Sequence, residues 1–139
     1  MLFPKKVKHR KWHTQRKDMS KAKPDTRGIT IAYGSFGLKA ETAGRIRSNQ
    51  LEAARKAMAR YMTKTGKAWI RIFPDRPYTA KPAEVGMGKG KGDPQGFCFE
   101  IRPGRVIFEL DGMDEAAAKE ALRKAGTKLP VRTKFISRA

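Results

Sequence analysis

Apolar and polar positions change period several times along the chain, and each change marks an element. Gly28-Ile29-Thr30-Ile31-Ala32-Tyr33-Gly34 has β-branched alternation and predicts a strand, which Ser35 to Ala40 continue through a glycine-marked irregularity. Arg45-Ile46-Arg47 predicts a short further strand. The period then becomes helical: Leu51, Ala54, Met58, Tyr61 and Met62 share one face of a helix over 49–65. Ser48 is its expected N-cap, Glu52 sits in its first turn, and Gly66 is its C-terminal stop. Arg55, Lys56, Arg60 and Lys64 fall largely off the apolar face. Lys67 to Phe73 predicts a strand closed by Pro74.

Residues 74–96 carry four Pro and five Gly, which is too many breakers for an ordinary connection and predicts a long functional or disordered loop. Phe97 to Ile101 and Val106 to Leu110, around Pro103-Gly104, predict a hairpin. Asp114 and Glu115 open a second helix running to about Ala125, with Gly126 ending it. Val131 to Ser137 predicts the last strand. The order implies an α+β fold, a mostly antiparallel sheet packed by two helices, with an extended basic N-terminal arm and a long Gly-rich loop. The expected division is an arm over 1–27 and a single domain over 28–139 with a projecting loop over 74–96.

Charge changes this picture most. The 139 residues hold 32 Lys and Arg against 13 Asp and Glu, a net charge of +19, and a body so positive seeks polyanions. Ten of those cations fall in the first 27 residues, which lack apolar periodicity and so cannot bury a core alone. Lys5, Lys6, Lys8, Arg10, Lys11, Arg16 and Lys17 are candidate phosphate contacts, with Trp12 among them to stack on a base or to pin the arm to the domain. Arg55, Arg60 and Lys64 extend the candidate RNA surface along the first helix. The chain is too short for a large multi-domain enzyme, and the single Cys98 excludes a disulfide scaffold. No apolar run approaches the roughly 18–20 residues of a membrane span. Met1 to Pro4 run straight into Lys5-Lys6 without a secretory apolar region, and the clustered charges make no amphipathic transit helix.

Catalytic chemistry finds little support. Cys98 lies in a strand and reads as a small core residue, and His9 and His13 have no Cys, Asp or Glu beside them to complete a metal site. Gly86-Met87-Gly88-Lys89-Gly90-Lys91-Gly92 fails the phosphate-loop spacing, and no Ser or Thr follows either lysine. Bare glycine backbone would instead let Lys89 and Lys91 press against a crowded phosphate or sugar surface. No cofactor and no metal is expected.

Taken in order, several motifs make a resemblance. They are the Pro4-Lys5-Lys6 start, Tyr33-Gly34-Ser35-Phe36-Gly37-Leu38-Lys39-Ala40, and Gln50-Leu51-Glu52-Ala53-Ala54-Arg55. Gly66-Lys67-Ala68-Trp69-Ile70-Arg71-Ile72-Phe73-Pro74-Asp75, Met87 to Gly92 and Lys128-Leu129-Pro130 follow. With this order and spacing the chain resembles large-subunit ribosomal protein sixteen, bacterial or organellar type. The resemblance implies a structural, non-enzymatic constituent of the large subunit that binds its ribosomal RNA and helps form the A-site tRNA pocket near the peptidyl-transferase centre. It also implies a part in late subunit assembly, neighbouring ribosomal proteins as contacts, and a monomer within cytoplasmic ribosomes, with no membrane. Carried over by position, Lys5 to Lys17 would be the RNA-bound arm. Arg76, Lys81, Met87, Gly88, Lys89, Gly90, Lys91 and Gly92 would form the loop toward tRNA. The family usually has arginine just before the Met-Gly-Lys run; Gly86 stands there instead. The competing reading is a free-standing basic RNA-binding regulator or RNA chaperone.

Overall fold

In the computed structural model, which describes residues 1–15, 18–88 and 90–138, the α+β expectation holds, with two antiparallel sheets rather than one. The elements are β1 (Phe36–Ala40), β2 (Gly44–Arg47), α1 (Ser48–Ala59), β3 (Lys67–Ile70), β4 (Arg76–Ala80), β5 (Asp93–Ile101), β6 (Val106–Asp111), α2 (Glu115–Gly126) and β7 (Thr133–Ser137). One sheet runs β3-β6-β1-β7 and the other β2-β5-β4. The helices pack on each other; α1 lies against β2 and β5, and α2 against β1, β6 and β7. One apolar cluster joins the layers, with Leu38, Phe108 and Leu110 from the first sheet and Ile46 and Ile101 from the second. Leu51 and Met58 enter it from α1, and Ala121 and Leu122 from α2.

The expected strand over 28–34 is not formed. The N–H groups of Ala32, Tyr33 and Gly34 donate to the carboxylate of Glu109 at 2.8–3.1 Å, so no neighbouring strand can take them into a ladder. Pairing begins only at Phe36, which lies opposite Leu110 of β6 and Ser137 of β7.

The expected 97–110 hairpin is also absent. β5 is taken by β2 and β4, while β6 is taken by β1 and β3. The connection between them binds Ala40 instead: Gly104 N–H donates to the Ala40 carbonyl and Ala40 N–H to that of Arg105. The chain thus crosses from one sheet to the other at Pro103-Gly104, where Gly104 has φ of +96°.

Helix α1 is shorter than the pattern suggests. Arg47, not Ser48, is the N-cap, and its N–H donates to Gln50 Oε1 at 2.9 Å. Tight turns at Tyr61 and Met62 end the helix after Ala59, and Thr65 Oγ1 then bonds the Gly112 carbonyl. The turns carry the chain into β3, which stops at Ile70 rather than Phe73. Within 74–96, β4 and the start of β5 occupy both ends, so 81–92 is the connection of a β4–β5 hairpin.

Candidate nucleic-acid interface

Strand alternation in the smaller sheet sets the site. In β2 the buried Ile46 points to the core, so Arg45 and Arg47 take the other face. Register places Arg45 opposite Glu100 of β5, and Arg76 of β4 opposite Cys98, two residues before Glu100. A nitrogen of each arginine lies 3.7 Å from Glu100 Oε2. Arg47 lies over the Tyr78 ring of β4 at 4.8 Å.

The same guanidinium groups hold the N-terminal segment. Arg45 Nη2 donates to the Thr14 carbonyl at 2.6 Å, and Arg76 Nη2 to the carbonyls of His13 and Thr14 at 2.7 and 3.0 Å. Arg76 also lies over the Trp12 ring, 5.4 Å from its centroid. Lys91 Nζ donates to the Trp12 carbonyl, and Lys11 Nζ to the Lys91 carbonyl at 3.4 Å. Residues 11–14 are therefore clasped to the foot of the β4–β5 hairpin. The carbonyl acceptors are neutral, so the clasp adds no counter-charge beyond Glu100, which both arginines already face.

The hairpin changes character along its length. At the foot Ala80 pairs with Asp93, and a Cβ on Gly92 would meet the Ala80 backbone at 2.7 Å. At the tip Gly88 and Gly90 take φ near +100° in open space, a conformation that side chains other than glycine adopt at a cost. Met87 is 98% exposed. Lys81 Nζ reaches across to the Gly88 carbonyl.

Against known protein families, the model of ribosomal protein L16p/L10e matches residues 4–136, nearly the whole chain. The chain belongs to the ribosomal protein L16p/L10e family. It is accordingly a structural protein of the large ribosomal subunit.

Not all the candidate contacts of this L16p/L10e chain gather at the clasp. Lys5, Lys6, Lys8, Arg10 and Lys11 are exposed, and Trp12 is 42% exposed. Arg16, Lys17 and Lys89 lie outside the described residues. Arg55 is held by Glu52 on its own helix, Nε to Oε2 at 3.2 Å. Arg60 lines a depression of about 270 Å³ at the ends of α1 and α2, with Tyr61, Lys124, Thr127 and Lys128. Lys64 is exposed beyond α1. Arg45, Arg47 and Glu100 were missing from the sequence-based candidates. The Arg-Ile-Arg alternation was a signal that could have found the two arginines. Cys98 is buried, and burial pushes its thiol pKa up, which fits a core residue. Among the described residues no three His, Cys, Asp or Glu gather as a metal would require.

Proposed function

We propose that this L16p/L10e protein binds large-subunit ribosomal RNA and helps shape the A-site tRNA pocket, in cytoplasmic ribosomes. Lys5, Lys6, Lys8, Arg10, Lys11, Arg16 and Lys17 supply phosphate contacts along the arm, with Trp12 among them. Arg55, Arg60 and Lys64 supply phosphate contacts along α1. Arg76, Lys81 and the segment Met87 to Gly92 form the part that meets tRNA. The observation that carries this reading is the clasp. Its bonds from Arg45, Arg76 and Lys91 to Trp12, His13 and Thr14 tie residues of the basic arm to the base of the hairpin, which supports a shared RNA-facing role. A surface that stays cationic after folding neutralises phosphates and releases their counterions.

The test replaces Lys89 and Lys91 with alanine and follows the variant in large subunits sedimented in high salt. The variant should remain with the subunit while A-site tRNA binding falls. Normal tRNA binding would remove the hairpin from the pocket. Loss of wild-type protein into the light fractions would overturn stable binding to ribosomal RNA.

A further inference from the structure

Tyr33 lies outside both the arm and the hairpin, and its setting is unusual. Tyr33 is 62% exposed, yet its backbone N–H and those of both neighbours are bonded to one carboxylate. Glu109 Oε1 accepts from Tyr33 N–H at 2.8 Å and from Gly34 N–H at 2.9 Å. Glu109 itself is fully buried and paired with Arg71. Gly34 is wedged so closely that a Cβ there would meet the Leu110 carbonyl oxygen at 2.5 Å. The Tyr33 ring stacks on Trp69 at 6.0 Å between centroids and 20° between planes, and the Arg71 guanidinium lies 5.2 Å from its centroid. Trp69 and Arg71 are two residues apart in the chain, Trp69 in β3 and Arg71 just beyond its end.

A surface tyrosine that only covered its neighbours would need no such foundation. Here a buried carboxylate fixes a short loop that carries a largely exposed aromatic ring, with Trp69 stacked against it and the Arg71 guanidinium over it. That is the construction of a stacking shelf: its backbone is fixed in advance, so little entropy is lost when a base stacks on the ring. We propose that Tyr33, supported by Trp69 and Arg71, is a stacking site for an unpaired RNA base. The proposal rests on the RNA-binding reading above and adds a subsite to it. A base within a duplex is hidden by its neighbours, so only a base outside pairing can use the shelf.

The test measures binding of the full chain to a short single-stranded RNA of mixed sequence and to the duplex formed by that strand and its complement. High salt is used, so that phosphate contacts are screened. Tyr33→Ala should weaken single-strand binding about tenfold, in line with one base–aromatic stack, and leave duplex binding unchanged. Tyr33→Phe keeps the ring and should bind as the wild type does. In a Trp12→Phe background, where Trp69 is the remaining tryptophan, base stacking should also change its fluorescence, a change absent once Tyr33→Ala is added. Single-strand binding by Tyr33→Ala equal to wild type overturns the shelf while leaving RNA binding intact. So does an equal loss on both RNAs. Failure of the wild type to bind the single strand overturns the shelf, and only loss of the protein from high-salt large subunits as well overturns the RNA-binding reading.

Discussion

Glu109 and Glu100 are strand glutamates that each meet arginine, and they do opposite work. Glu109, on β6, is fully buried; it accepts from three backbone N–H groups and pairs with Arg71. Glu100, on β5, has a side chain 24% exposed and lies 3.7 Å from nitrogens of Arg45 and Arg76, both of which also bond to the arm. A buried carboxylate whose acceptor sites are filled by backbone donors fixes a fold. A partly exposed one among arginines positions the cations that hold the arm. The chemical group is the same, and burial decides its role.

The largest break of this comparison is Glu109→Gln. It leaves three backbone donors sharing a neutral amide and a guanidinium without its counter-charge, which should cost about 3–5 kcal/mol in denaturant unfolding. Glu100→Gln should cost about 1 kcal/mol or less, because solvent reaches it. Equal losses would show that burial does not separate the two. Acid sharpens the contrast. Burial works to raise the Glu109 carboxyl, but the Gly34 N–H, the Arg71 guanidinium and the Tyr33 and Ala32 N–H groups outweigh it and hold it below the usual carboxylate range. The folded state therefore takes up this proton at a lower pH than the unfolded chain does. The stability Glu109 lends is complete above an unfolded carboxyl value of about 4.3 and is lost as pH falls through the lower folded value. Stability measured from neutral pH downward should drop more steeply in the wild type than in Glu109→Gln.

The same pair of acids shows why part of the molecule was legible in sequence and part was not. Helix α2 and strands β2 and β7 follow the local period, and they appear within a few residues of where the pattern puts them. The 28–34 stretch has a strand's alternation, but its donors bond a carboxylate 75 to 77 residues away. Two apolar runs around Pro103-Gly104 look like a hairpin from either side. Only the claims of β2, β4, β1 and β3 on those runs send them to separate sheets. At the site, the basic arm and the glycine-rich segment were legible as composition. The clasp between them was not, because its acceptors are backbone carbonyls of Trp12, His13 and Thr14, which no residue type announces.

A smaller effect is expected at the clasp. Arg76→Gln removes the cation over Trp12 and the charged bonds to His13 and Thr14. Because these contacts are largely at the surface, global stability should fall by about 1 kcal/mol or less. Local order should respond far more. Limited proteolysis should cut the variant faster near residues 11–14 while sparing the α+β body, since regions held by few contacts open independently. An unchanged cutting rate would mean that Arg45 and Lys91 suffice to hold the arm.

The smallest effect is expected at the hairpin tip, and its smallness is informative. Gly92, at the foot, has no room for a Cβ, whereas a Cβ on Gly86 would meet nothing within 4 Å. Gly86 is also not among the glycines with positive φ, so neither space nor backbone conformation demands glycine there. Gly86→Arg, which installs the residue usual in the resembling family, should change stability by less than about 0.5 kcal/mol. A larger loss would mean that the fold itself selects glycine. A neutral result places the reason for Gly86 outside the folded chain, in whatever the exposed Met87 tip meets. On the proposed reading, in which the tip meets tRNA, A-site tRNA binding of the two forms in assembled subunits would then test that partner's preference. Tighter binding by Gly86→Arg would show a contact the partner still offers, and weaker binding a surface that has adapted to bare backbone.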